Sequence, residues 1–217
     1  MNKIFLSFVL FLSFIFFGNG TFANDILPVS PNITNVRTVG LYQVGNDITV
    51  YKFPDEESHI LYRIRWNDED DFFPQEIGAK NFFTVYVEKK ELALVNVVDI
   101  ADGWVEIVYN NSTGETGWIR EDDPYKFMTW INFYNTYGKK YGLRLLKGAP
   151  AMCKDMKASP ESLKTISTMN TPQAIHLNII KGNWALISVL DMDRTPKTGY
   201  VRWRSDDGVR YFFPDIK

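Results

Sequence analysis

The chain is poor in the residues that build covalent or metal-held frameworks. It has one cysteine, Cys153, and two histidines, His59 and His176, among 217 residues. A single cysteine excludes an intramolecular disulfide. Its position far downstream excludes the lipidated cysteine that follows a bacterial lipoprotein signal. Two histidines and one cysteine, widely spaced, do not make a zinc site. They leave a cysteine-peptidase pairing as an alternative to a packed thiol. The surroundings Ala151-Met152-Cys153-Lys154-Asp155 lack an activating context, and the packed thiol is the reading adopted.

Net charge is nearly absent as well. Twenty-four basic residues stand against 26 acidic ones, a net charge of -2. Nucleic acid and anionic membranes demand dense positive patches, so neither is expected as a partner. Long apolar runs are missing after the first 17 residues, so no later segment is expected to span a bilayer. The acidic run at residues 68–71 lacks the spacing and glycine of a calcium loop. Asp191 and Asp193 read as turn residues. No pair of carboxylates sits in a motif for acid–base chemistry, and no cofactor is expected. Asn32-Ile33-Thr34 and Asn111-Ser112-Thr113 fit the glycosylation acceptor pattern.

The N-terminus carries a clear address. Lys3 precedes an apolar run from residue 4 to 17, Gly18-Asn19-Gly20 breaks it, and Thr21-Phe22-Ala23 places small residues where a signal peptidase reads. That is the layout of a secretory signal peptide over residues 1–23. A retained membrane anchor is the alternative, but the run is shorter than the roughly 20 residues that span a bilayer. Cleavage after Ala23 removes Lys3 and takes the net charge from -2 to -3. The mature chain is expected in the periplasm or outside the cell, with no stable membrane insertion.

Aromatic residues make up 15% of the chain and recur inside short β-branched runs, which favours small all-β units. Strands are expected at residues 48–51, 59–66, 82–87, 92–98, 104–109 and from 117. After the change of pattern at 124–142, they are expected at 143–147, 175–180, 182–189, 199–203 and 209–213. Residues 24–36, with Pro28 and Pro31, read as an extended lead-in. In the intervening segment Phe127, Trp130, Tyr134, Tyr137 and Tyr141 recur three or four residues apart, a helical face. Asp123 suits the N-cap and Pro124 the first turn, so a helix is expected from about 124 to 137. The stripe reads as core packing between two units, with a carbohydrate platform as the alternative.

Two stretches match each other. Gly103-Trp104-Val105-Glu106-Ile107-Val108 leads through a polar loop to Gly117-Trp118-Ile119. Asn183-Trp184-Ala185-Leu186-Ile187-Ser188 leads through another to Gly199-Tyr200-Val201. The tryptophan anchors a strand, alternate residues supply a buried face, and the glycine admits close approach or a bulge at the return strand. This arrangement resembles the bacterial SH3 domain family, whose sequences often read Gly-Trp, an alternating strand, a glycine-containing turn, then Gly-Trp-Val. The second copy departs from it at Asn183 and Tyr200. The family's first strand and loop look like residues 50–58 in copy one. In copy two the counterpart begins either at Leu145-Leu146-Lys147 or near Met152, with Ser159-Pro160-Glu161-Ser162 resembling the loop. Copy one also carries extra sequence at about 67–81.

The resemblance implies a mainly β protein of two small SH3-like β-barrels with a short helix between them. The first, with an insertion, spans 24–123, the helical connector 124–142 and the second barrel 143–217. It implies a non-catalytic module binding a cell-wall peptide, peptidoglycan or an exported protein, with a structural part in an envelope complex as the alternative. The ligand-binding residues it points to are Tyr51, Trp104 and Trp118 in copy one, and Trp184, Tyr200 and Trp203 in copy two. Aromatic-lined grooves suit extended peptides. For each tryptophan, burial in the core is the competing reading.

Overall fold

Alternation of apolar and polar residues sets the strands, and the computed structural model describes them over residues 25–66, 73–122, 125–192 and 194–216. The signal segment, the acidic run at 68–71, Asp123, Pro124 and Asp193 lie outside the described residues. Strand outweighs helix, 46% to 13%, so the chain is mainly β. Among the described residues no helix is long and apolar enough to cross a membrane.

The first half forms β1 (Gly40–Gln43), β2 (Asp47–Tyr51), β3 (Ile60–Arg65), α1 (Gly78–Phe82), β4 (Val85–Val87), β5 (Leu92–Ala101), β6 (Trp104–Asn110), β7 (Glu115–Arg120) and β8 (Phe127–Thr129). They make one eight-stranded sheet in the order β3-β2-β7-β6-β5-β1-β8, with β4 also on β5. The second half supplies β9 (Leu143–Leu145), β10 (Asp155–Lys157), β11 (Thr165–Thr168), β12 (Pro172–Lys181), β13 (Trp184–Asp191), β14 (Pro196–Arg202) and β15 (Phe212–Pro214). Five of these form a sheet in the order β11-β10-β14-β13-β12, and β9 pairs with β15 in a separate ribbon. The sheets do not close into barrels.

The two sheets repeat one plan. β3-β2-β7-β6-β5 in the first and β11-β10-β14-β13-β12 in the second take the same positions in chain order, all with antiparallel neighbours. Both long third strands, β5 and β12, carry a register shift, at Val97/Asp99 and at Leu177/Ile179. The extra residue, Val98 or Asn178, stands four residues before the turn residue Asp102 or Gly182. A bulge repeated at one place is a built feature of the strand bend. The return glycines repeat as well. A Cβ on Gly117 would sit 2.6 Å from Val50 Cγ1, and one on Gly199 would sit 3.0 Å from Met156 Cβ, so each marks the closest approach of the return strand to the first strand. The first strand of the second unit is therefore β10, near Met152 rather than at Leu145, and Ser159–Ser162 follows it as the loop. α1 begins within the extra sequence of the first unit, and β4 follows it within the strand expected at 82–87.

The connecting helix begins later than expected. Residues 127–129 are β8, paired with β1 through Phe127↔Tyr42 and Thr129↔Gly40. Gly40 permits this, because a Cβ there would lie 2.2 Å from the Met128 carbonyl oxygen. The first sheet thus extends to Thr129, beyond the expected boundary at 123. Thr129 then caps the helix, its Oγ1 accepting from Asn132 N at 3.2 Å. The helix runs through α2 (Trp130–Phe133), a π turn (Tyr134–Gly138) and α3 (Lys139–Tyr141). The wider π turn breaks the 3.6-residue spacing. Trp130, Phe133 and Tyr134 are buried, whereas Tyr137 and Tyr141 are only half-buried.

Two apolar clusters result. One lies within the first sheet around Ile48, Val50, Ile64, Val105, Ile107 and Ile119. The larger joins Leu41, Val85 and Leu94 of the first sheet to the helix and to Ile175, Ala185, Ile187 and Val201 of the second. The helix lies between the units, touching β1 and β8 on one side and β12 and β15 on the other.

Candidate functional site

Val105, Ile107, Ile119 and Val50 point into the core, so their neighbours along the same strands face the other side of the first sheet. This outer face brings three of the named residues together. Tyr51 pairs with Trp118 across β2 and β7, and Trp104 pairs with Arg120 across β6 and β7. The Tyr51 ring meets Trp104 edge-on, with centroids 5.4 Å apart and planes at 89°. The Arg120 guanidinium carbon lies 5.2 Å from the Trp104 centroid, and its Nε is 3.7 Å from Glu56 Oε1. Trp104 is thereby covered and only 5% exposed, while Tyr51 and Trp118 remain half-exposed.

The second sheet repeats the register with different chemistry. Trp184 pairs with Arg202, and Tyr200 pairs with Lys157. Lys157 Nζ lies 5.3 Å from the Trp184 centroid, and Lys181 Nζ lies 6.0 Å from that of Tyr200. Arg202 binds Asp206 rather than a residue of the preceding loop. Trp184 and Tyr200 keep partial exposure. Trp203 belongs to the core and presents no face to solvent. It is 0% exposed, its Nε1 donates to the Gly182 carbonyl at 2.9 Å, and its ring lies 4.4 Å from Tyr134. Beyond the end of β14, it turns inward onto the helix.

One named residue opens onto a groove. Tyr51 lines a depression of about 280 Å³ with Tyr42, Tyr125, Asp47, Arg120 and Asp122. Tyr42 is fixed there, since its hydroxyl donates to the Asp122 carbonyl at 3.0 Å and accepts from Asp122 N at 2.8 Å. Asp47 is engaged with Arg65 at 3.3 Å. The groove therefore offers aromatic walls with a mixed-charge rim. Tyr42 and Tyr125 were not visible as site residues in the sequence, because Tyr42 lies on β1 and Tyr125 just before β8, neither of which neighbours β2 in the sheet, so only the tertiary fold brings them to Tyr51.

The candidate nucleophile is placed otherwise. Cys153 is buried, and burial pushes its thiol up to about 11, so the reactive thiolate is scarce at neutral pH. His59 and His176 are both exposed. Among the described residues no group of three metal-ligating side chains comes together. No family model, curated protein or solved structure matches the chain.

Proposed function

We propose that this chain is an exported, non-catalytic binding module of two SH3-like units that recognises a peptide, peptidoglycan or a protein partner in the cell envelope. The observation that carries the reading is the shared plan. In both sheets a tryptophan opens the fourth strand opposite an arginine of the fifth, and a glycine before an aromatic packs the fifth strand on the first. That is the pattern on which the resemblance to bacterial SH3 domains rests, and the equal strand order supports it. The secretory signal and the near-neutral charge support an envelope or extracellular partner.

The surface that suits an extended peptide is the outer face of the first sheet, where Tyr51 lines the tyrosine groove and Trp118 pairs with it across β7. Tyr200 and Trp184 form the corresponding surface of the second unit, with lysines in the role of capping groups. Trp104 supports the surface from beneath.

Pull-down of the purified protein on insoluble peptidoglycan tests the wall-binding form of the reading. Saturable retention, lost in folded Tyr51→Ala or Trp118→Ala, is the expected result. No retention of the wild type sends the search to exported protein partners. Retention unchanged in both variants removes this face from the site.

A second reading, a structural role in an envelope assembly, has its own observation. Leu163 is 96% exposed beside β11, an edge strand that also exposes Ile166. An uncovered edge with apolar residues accepts another strand. Self-association or complex formation abolished by Ile166→Lys, with peptidoglycan binding absent, would favour it.

A further inference from the structure

The lead-in segment meets the first sheet through a single antiparallel bridge, Ile26 to Tyr86 of β4. Ile26 exchanges hydrogen bonds of 2.8 Å with Tyr86, the Val29 carbonyl accepts from Lys147 N at 2.9 Å, and the Pro28 carbonyl accepts from Arg144 Nη2. The segment thus straps the first sheet to the β9–β15 ribbon and walls a cavity of about 650 Å³. That volume lies in the range of small-ligand sites. Leu27, Val29, Phe83, Leu146 and Phe213 give it apolar walls.

A few polar groups converge on it. Asn111 Oδ1 accepts from Asn35 Nδ2 at 2.7 Å and from Asn96 Nδ2 at 2.8 Å, and Asn111 Nδ2 donates to the Phe82 carbonyl at 3.3 Å. Asn32 and Thr34 donate to the Asn111 carbonyl. The two glycosylation-like motifs therefore meet at this wall, and the Asn111 side chain is consumed in holding it. Thr84 Oγ1 and Asn96 Oδ1 line or border the space, buried and without hydrogen-bond partners among the described residues.

Arg210 completes the lining and is 7% exposed. Its guanidinium stacks 3.8 Å from the Trp130 centroid and reaches one acceptor, Thr38 Oγ1, at 3.4 Å. It has no carboxylate partner among the described residues. Desolvation pushes its pKa down to about 10, which leaves it cationic at neutral pH. A buried guanidinium with one long hydrogen bond is costly to keep, and most of its donor fork is unused. A planar fork of this kind matches a carboxylate with two parallel hydrogen bonds.

We propose that this cavity binds a small ligand carrying a carboxylate and an apolar body, with Arg210 pairing the carboxylate and Thr84 and Asn96 meeting the ligand's other polar groups. The site is separate from the groove beside Tyr51, so failure at one does not decide the other. Two sources share this chemistry, a peptide C-terminus and a fatty acid.

The test titrates the purified protein with N-acetyl-leucine, N-acetyl-leucinamide, octanoate and octanamide, following the Trp130 indole resonance. Saturable binding of N-acetyl-leucine, about tenfold or more tighter than of its amide, is expected for a peptide-like ligand. The same preference for octanoate over octanamide identifies the lipid source. Thr84→Val leaves Arg210 in place and is expected to weaken binding several-fold. Arg210→Lys, checked for folding, is expected to lose most of the preference for acid over amide. Equal binding of acid and amide, no saturable response to either carboxylate, or unchanged affinity in both variants overturns the proposal.

Discussion

Lys157 Nζ lies 5.3 Å from the centre of the Trp184 ring, in the place that the Tyr51 ring takes, 5.4 Å from Trp104, in the first sheet. Both covering residues lie on the first strand of their unit, opposite the aromatic that follows the return glycine. One position thus covers a strand-opening tryptophan by edge-to-face contact in one unit and by a cation in the other.

The different covers predict different costs. Trp104→Ala is expected to cost about 3–5 kcal/mol, the range for deleting a large buried side chain. Trp184→Ala, at a half-exposed site, is expected to cost about 1–3 kcal/mol. Lys157→Ala should lose about 0.5–1 kcal/mol. Urea unfolding measures all three, and equal costs for the two tryptophans would contradict the unequal coverage.

The return glycines give a second ordering. A Cβ at Gly117 meets Val50 Cγ1 at 2.6 Å, whereas at Gly199 the nearest atom, Met156 Cβ, is 3.0 Å away. Gly117→Ala should therefore destabilise more, by about 1–3 kcal/mol, as an overpacking change. Thermal unfolding of the two variants side by side checks the order, and a larger loss at Gly199 would contradict it.

Cys153 predicts part of the alkaline behaviour. Its thiol titrates near 9.0 when released and at about 11 when buried. The folded state holds the proton longer, so the contribution is intact below about pH 9 and declines as pH rises towards about 11. Burial of Tyr134 raises its hydroxyl and acts in the same sense. Denaturant midpoints between about pH 8 and about pH 11 should fall less steeply in Cys153→Ala than in the wild type. Parallel curves would show that the thiol does not contribute.

Arg210 gives the fourth prediction. Replacement of an unpaired buried charge by an apolar side chain of similar length is often neutral or stabilising. Arg210→Met is expected to unfold at the wild-type temperature or above, despite losing the contact with Trp130. A drop in Tm of many degrees would assign Arg210 a structural role.

The two hairpins were legible in the sequence because each is local. The spacing from Trp104 to Gly117 and from Trp184 to Gly199 reports two hairpins directly, and the glycines report a close approach. β10 was less visible, since Asp155-Met156-Lys157 is short and has no β-branched residue. The shift of the helix start to Trp130 was hidden because β8 exists only through pairing with β1, far away in the chain. The same aromatic spacing serves a strand at Phe127 and a helix after it. The inward turn of Trp203 depends on Tyr134 and Gly182, and the cavity on residues from six separate segments. Neither leaves a periodic trace.

The most direct test of a binding role for the outer face uses the indole N–H resonances of the six tryptophans. Titration of the purified protein with soluble peptidoglycan fragments is predicted to shift Trp118 first, with Trp203 and Trp66 unmoved, and Tyr51→Ala is predicted to weaken the response. No shift at Trp118, or a response untouched by Tyr51→Ala, would contradict the account of this face as the recognition surface for wall peptides.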